Sequence, residues 1–376
     1  MGQALGSSRR SASPGPCSER FDFVRKLSLF PDRVRAALDR NLAAALSTVY
    51  LDVNTDVCNH ACSFCDGFYR RLRPGRLPWP RLERLVGEMQ ELGVLSVVPA
   101  GDRGEPLLHP EIDALLSRLV QSGIGYGLYT NGTIVGERVW PWLPHAAFIR
   151  VSADAATAAT HRRMHGYPAG RTDFSDLLSN VERLAAQVPD LGISFVLAEG
   201  NHREISLAAD TFLARGARFV EYKPRYLPGY RADTAWLQSA GAEVRCQLDA
   251  ASARWKDRIV FNNQLESLLG PTLDSRALEV PPRTCLASLM RLVVSTHGCY
   301  TCTPYRGERE RWVGDIHEQA LLRIVESAAR RATVDRLCDR RCAYHEQNEW
   351  LLAAQAAGAL PVATAARPRS TQDEFI

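Results

Sequence analysis

In the run Thr48-Val49-Tyr50-Leu51-Asp52-Val53, an apolar, β-branched segment opens onto Cys58-Asn59-His60-Ala61-Cys62-Ser63-Phe64-Cys65. The first part reads as a buried strand, and the second places three cysteines, spaced C-x3-C-x2-C, on the loop that follows it. Three thiolates on one short loop hold three irons of a 4Fe-4S cluster and leave the fourth iron open to an outside ligand. Zinc is the competing use. A structural zinc wants four ligands, and His60 would have to supply the fourth from a cramped position.

Outward from this loop the chain alternates strand and helix. Further strands are predicted over 94–100, 123–130, 148–152, 193–198 and 219–223, with helices over 81–92, 111–122, 174–187 and 203–215. Leu82, Leu85, Val86 and Met89 recur at helical spacing within the first of these helices. Six β units, nearly all separated by helices, argue an α/β fold with a parallel sheet and βα crossovers. That is an open, partial (β/α)6 barrel, with function expected at the strand C-terminal ends. Those ends carry Gly101 to Pro106, Thr130-Asn131-Gly132, Ser152-Ala153-Asp154 and Lys223-Pro224-Arg225.

Composition sets the outer limits. The 376 residues are 45% hydrophobic and 23% charged, the profile of a soluble globular protein with a large core. No apolar stretch is long enough for a membrane helix, and Met1 to Arg10 has no apolar segment of the kind that directs export. A cytoplasmic location without membrane contact is expected. Residues 1–40 hold eight basic and four acidic side chains, leaving 38 of each in the rest, since the totals are 46 and 42. The body is therefore neutral, and nucleic-acid binding is not expected. Only three of the 46 basic residues are lysines, Lys26, Lys223 and Lys256.

The cysteine loop resembles the signature of the radical S-adenosylmethionine (radical SAM) superfamily, C-x3-C-x-aromatic-C, with Phe64 as the aromatic residue. Arg103-Gly104-Glu105-Pro106 is similar to that family's Gly-Gly-Glu-Pro element, with Arg103 in place of the first glycine. Thr130-Asn131-Gly132 resembles its TNG turn, and Ser152 with Asp154 its fourth-strand ribose motif. The resemblance implies that Cys58, Cys62 and Cys65 bind a 4Fe-4S cluster. It also implies that Phe64, Gly104, Glu105, Asn131, Ser152 and Asp154 help bind S-adenosyl-L-methionine (SAM). Reductive cleavage of SAM then gives a 5′-deoxyadenosyl radical, and an electron donor such as flavodoxin or ferredoxin is implied as a partner.

A second cysteine group lies downstream. Cys285 is followed after 16 residues by Cys302, and Cys338-x3-Cys342 begins 35 residues beyond. Ten cysteines in a chain without a secretion signal suit metal or redox ligation better than disulfides. This group resembles the twitch module, a shortened SPASM extension, and implies one auxiliary 4Fe-4S cluster on Cys285, Cys302, Cys338 and Cys342. Cys299 is the extra thiol: a buried inert residue, a ligand in place of Cys302, or a hydrogen-atom donor. Cys246 is a second candidate donor, and Cys17 lies in an arm read as disordered. The expected division is an N-terminal arm and helix (1–45), a core barrel (46–230), a linker (231–284), an auxiliary module (285–350) and a mobile tail (351–376).

A non-catalytic iron–sulfur electron carrier would not need the Glu105, Asn131 and Ser152 elements, so an enzyme is expected. The resemblance implies a small polar substrate such as a sugar, aminocyclitol or nucleoside of antibiotic biosynthesis, oxidised at a carbinol carbon. Epimerisation with a cysteine donor, decarboxylation and peptide modification are the alternatives. The residues before the first strand are too few for a peptide-recognition domain. Glu221, Lys223 and Arg225 alternate on one face of the sixth strand as candidate bases and substrate anchors.

Overall fold

The computed structural model describes residues 22–65, 74–166, 174–227, 230–268, 279–340, 342–358 and 371–376. Three short helices, α1 (Phe23–Ser28), α2 (Pro31–Leu38) and α3 (Leu42–Ala45), precede β1 (Thr48–Asp52). The alternation then runs α4 (Trp79–Glu91), β2 (Ser96–Ala100), α5 (Ile112–Ser122), β3 (Gly125–Thr130), β4 (Phe148–Ser152), α6 (Ala158–His165), α7 (Phe174–Gln187), β5 (Leu191–Leu197), α8 (Ile205–Leu213) and β6 (Phe219–Pro224). These six strands pair in parallel and in sequence order. The family barrel is thus present, with helices covering its outer face. Leu82, Leu85, Val86 and Met89 of α4 are all buried, as are Ile112, Leu115, Leu116 and Leu119 of α5.

The region expected to be a linker is folded. After the small hairpin β7 (Tyr226–Leu227) and β8 (Arg231–Ala232) comes α9 (Leu237–Trp255), then β9 (Ile259–Phe261) and α10 (Asn263–Leu268). β9 adds to β6 in parallel, and Leu237, Val244, Leu248 and Ala251 bury one side of α9. Small and polar residues such as Ser239, Ala240, Gly241 and Ala242 dilute that apolar stripe, and β9 is too short to show a period.

The cysteine-rich segment contributes β10 (Glu279–Arg283), β11 (Arg291–Ser295), β12 (Gly298–Tyr300), β13 (Trp312–Gly314), α11 (Leu321–Val325), α12 (Ala328–Asp335), β14 (Cys338–Arg340) and α13 (His345–Ala357). It is not a separate bead. β11 pairs in parallel with β1, and β12 and β13 continue the sheet antiparallel, giving the order β13-β12-β11-β1-β2-β3-β4-β5-β6-β9. The sheet therefore holds eight parallel strands, two more than the sequence pattern shows.

The expected mobile tail is also corrected. α13 carries the chain to Ala357, and residues 371–376 dock at the N-terminal ends of β1 and β2. Thr48 Oγ1 donates to Ile376 O at 2.9 Å and Ser96 Oγ to Glu374 O at 3.0 Å, while Phe375 and Ile376 are buried. Two apolar residues at the end of an Ala, Pro and Arg run are enough to cover the apolar foot of the barrel. The expected disordered arm (1–20), with Cys17, and residues 359–370 lie outside the described residues. Among the described residues, no helix is long and apolar enough to cross a membrane.

Candidate active site

The cysteine loop is fastened to the segment after β2 by a buried asparagine. Asn54 Oδ1 accepts from the Asp56 and Val57 amides at 3.2 and 3.1 Å, and its Nδ2 donates to Val57 O at 2.9 Å and Glu105 O at 3.0 Å. Gly104 fits only because it has no side chain: a Cβ there would lie 2.3 Å from Asn54 O. Gly101 is equally confined, 2.0 Å from Gly104 O by the same measure. The glycines of this element thus let two loops touch at the barrel mouth.

Glu105 is buried and uses both oxygens within the chain. Oε1 accepts from Thr130 Oγ1 at 2.6 Å and Leu107 N at 3.1 Å, and Oε2 from Asn131 N at 2.7 Å. Burial pushes its carboxyl up to about 7, against the pull of these three donors. Asn131 in turn donates to Asn59 Oδ1 at 2.8 Å and accepts from Thr133, which ties the TNG turn to the cysteine loop. Asp154 is likewise committed: buried at φ +47°, it accepts from Val196 N at 2.6 Å and holds the ends of β4 and β5 together. Ser152 is half-buried, and its hydroxyl has no partner among the described residues.

Cys58, Cys62 and Cys65 are half-buried and sense one another electrostatically. Burial pushes Cys58 up to about 11 and raises Cys62 further, so these thiols stay protonated until a metal displaces the protons. Around them lies an imidazole cluster that the sequence reading missed. His165 Nε2 donates to Ala153 O at 3.0 Å, leaving Nδ1 to accept from Cys62 Sγ at 3.1 Å. The rings of His60 and His161 lie tilted against His165 at 4.7 and 4.4 Å, and Phe64 packs edge-on against it at 5.7 Å. The i, i+4 spacing of His161 and His165 on α6 was the available signal. His60, Cys62 and His165 offer ligand atoms within 4.8 Å of one another, but that set leaves out Cys58 and Cys65. Three thiols on one loop suit an iron–sulfur cluster better.

The second group converges as well. Cys285, Cys302, Cys338 and Cys342 line one cavity, helped by the antiparallel pairing of Arg283 with Cys338. All four are free thiols. Burial, then the neighbouring thiols, raises Cys302 well above its ordinary value, and burial pushes Cys285 up to about 11 and Cys342 to about 12. Arg291 and Arg311 share the cavity wall, Arg291 favouring deprotonation of Cys285 and Cys342, and Tyr305 donates to Cys338 Sγ at 3.1 Å. This donor set fits a four-thiolate cluster.

Cys299 does not belong to it. Its side chain is fully buried in the main core, with Asp315 and Arg81 as its charged neighbours, and burial raises its thiol. That position is the one a buried, inert thiol would occupy, the first of the three readings of this residue. Of the β6 candidates, Glu221 lines a cavity inside the barrel, Lys223 lies near Asp154, and Arg225 is ion-paired with Asp233 at 3.7 Å.

Residues 54–204 match the radical SAM superfamily. The chain contains a radical SAM domain. Domains of this family use a 4Fe-4S cluster and SAM, in keeping with the cysteine loop. The chain is 22% identical over 173 residues to the tungsten-containing aldehyde ferredoxin oxidoreductase cofactor-modifying protein of Pyrococcus furiosus, covering 45% of this chain and 48% of that one. It is 30% identical over 186 residues to GTP 3',8-cyclase of Aeromonas hydrophila, covering 45% and 49%. The matched segment thus spans about half the length of these relatives. In fold it is similar to Streptococcus suis SuiB bound to precursor peptide SuiA, with TM-score 0.58 at 15% identity over 77% of this chain and 67% of that one. Similar too is anSMEcpe with bound AdoMet, with TM-score 0.58 at 18% identity over 77% and 80%.

Proposed function

We propose that this radical SAM enzyme oxidises a carbinol carbon of a small polar molecule, such as a sugar, aminocyclitol or nucleoside, in secondary-metabolite assembly. Cys58, Cys62 and Cys65 would hold the SAM-binding cluster, and Cys285, Cys302, Cys338 and Cys342 an auxiliary one. When bound, the first group with SAM supplies a hydrogen-abstracting 5′-deoxyadenosyl radical, and the second supplies an electron acceptor. Flavodoxin or ferredoxin would serve as the external electron donor.

The observation that favours oxidation over epimerisation is where the thiols are. Epimerisation needs a thiol beside the substrate to return a hydrogen atom. Among the described residues, the cysteines outside the two ligand groups are Cys246, exposed on α9, and Cys299, sealed in the core. Neither lines the barrel cavity. Arg291 and Tyr344, by contrast, line both that cavity and the four-cysteine cavity, so the two share a wall.

The chain's own contributions follow from its geometry. Gly104 lets backbone approach the cluster loop, Glu105 and Asn131 hold the TNG turn against it, and Ser152 offers a hydroxyl at the end of β4. Lys223, near Asp154, is the polar group that β6 offers a substrate at the strand ends, since Arg225 is held by Asp233 and Glu221 lines the lower cavity.

The test is anaerobic reduction of the reconstituted protein with SAM, followed by analysis for 5′-deoxyadenosine. Its absence would remove the enzyme reading in favour of an electron carrier. Deuterium from solvent appearing at an inverted carbon of the product would replace oxidation by epimerisation.

A further inference from the structure

Inside the barrel, below the cysteine loop, lies a cavity of about 130 Å³. Its wall includes Tyr50, Tyr129, Phe148, Glu221 and Lys26, and Phe375 closes one side. Tyr129 exposes 37% of its surface and lines this cavity.

Two charged groups on this wall make no ion pair or side-chain hydrogen bond among the described residues. Lys26, on α1, is only 3% exposed, and its ammonium makes no hydrogen bond or ion pair among the described residues. The ring of Phe23 lies 5.2 Å from it, and the nearby Asp373 is paired with Arg25. Glu221, on β6, is half-buried and has no ion pair or side-chain hydrogen bond among the described residues. The other cations on this wall are treated differently. Arg150 lies between the rings of Phe148 and Phe219, 4.6 Å from each, and donates to Asp190, while Arg291 donates to Ala287 O and Gln347.

An unpaired buried ammonium is costly, and an apolar residue of the same length would be cheaper. Lysine is also rare in this chain, with three among 46 basic residues. A compact charge at the cavity wall that no carboxylate bonds directly, Asp373 and Asp190 acting on it only from a distance, is what a bound anion would complete. Burial brings Lys26 down to about 7, which an anionic ligand would reverse.

We propose that this cavity binds a free amino acid, its carboxylate toward Lys26, its ammonium toward Glu221 and its side chain against the aromatic wall. The inference goes beyond the proposed reaction, because it concerns what the lower barrel binds rather than what chemistry follows.

The experiment is isothermal titration of the full-length, reconstituted protein with L-phenylalanine, 3-phenylpropanoate and phenethylamine. L-Phenylalanine should bind about tenfold or more tightly than either truncated probe, since each lacks one charge-assisted contact. Lys26→Met should weaken L-phenylalanine and 3-phenylpropanoate by at least about tenfold and leave phenethylamine unchanged. Glu221→Gln should show the mirror image, and it carries the test alone if Lys26→Met does not fold. Failure of all three probes to bind, or binding that neither substitution moves, overturns the inference. SAM cleavage in a protein that binds no probe would overturn this site and leave the enzyme reading intact; the opposite pairing would do the reverse.

Discussion

Arg306 Nε stands 2.7 Å from Asp52 Oδ2, and the same guanidinium reaches Asp102 Oδ1 at 3.1 Å. Arg306 follows Cys302 by four residues, whereas Asp52 ends β1 and Asp102 follows β2. One side chain of the cysteine-rich segment therefore neutralises two buried carboxylates at the mouth of the radical SAM barrel. His297 stands 4.0 Å from Asp102 on its other side.

Arg306→Gln should destabilise the fold by about 3–5 kcal/mol, because it leaves two buried carboxylates uncompensated. Arg306→Lys should recover only part of that loss, since an ammonium cannot span both acids as the planar fork does. Thermal unfolding of the iron-loaded proteins checks both. A shift of less than a degree in either variant would show that the clamp is solvated.

Reconstituted protein should bind about eight irons, and replacing Cys58, Cys62 and Cys65 together by Ala should leave about four and abolish SAM cleavage. Iron analysis and 5′-deoxyadenosine quantitation read the two effects separately. Retained cleavage in the triple variant would contradict the assignment of the cluster to this loop.

Cys299→Ala should keep the full iron content and cost about 1–2 kcal/mol of stability, as expected for trimming a buried side chain. Cys302→Ala should instead lose about four irons. Parallel iron counts on the two variants distinguish a core thiol from a ligand only three residues away.

Glu105→Gln should leave both clusters assembled but weaken SAM binding and destabilise the protein by about 1–3 kcal/mol. The glutamine amide keeps one acceptor and puts a donor against Thr130 or Asn131 N, so the TNG turn loses its brace. Unchanged SAM affinity, with iron content intact, would reduce this residue to a local turn element.

Lys26 links stability to pH. Its ammonium titrates at about 7 in the fold against 10.5 when free, so between those values the unfolded chain carries a proton that the folded chain has released. Stability should therefore rise with pH across that window, while below it the fold bears the full cost of the buried charge. Lys26→Met should be more stable than the parent by on the order of 3 kcal/mol at pH 6, the advantage vanishing near pH 10. Urea unfolding across this range measures it, and a pH-independent difference would mean that the ammonium is solvated.

The sequence by itself determined the barrel's first six strands and both cysteine groups. Buried parallel strands must be continuously apolar, their helices must carry a one-sided stripe, and ligands must stand close along the chain when one loop holds them. Those constraints are local and survive in the pattern of residues 48–65. What needed the tertiary structure was everything set by long-range contact. β9 is too short to announce itself, and β11, though as long as β1, stands far from the strand–helix alternation of the barrel; each joins the sheet because β6 and β1 offer open edges. Phe375 and Ile376 look like the end of a loose tail until the foot of the barrel gives them a place to be buried. Glu105 and Asp154 read as ligand contacts by motif, and only the fold shows that Thr130, Asn131 and Val196 also donate to their carboxylates. The Arg306 clamp joins residues hundreds of positions apart, and Lys26 reaches the same cavity wall as Glu221 and Phe375; no sequence period records such distances. Buried polar atoms must find partners wherever the fold supplies them, and only the folded chain decides which atoms those are.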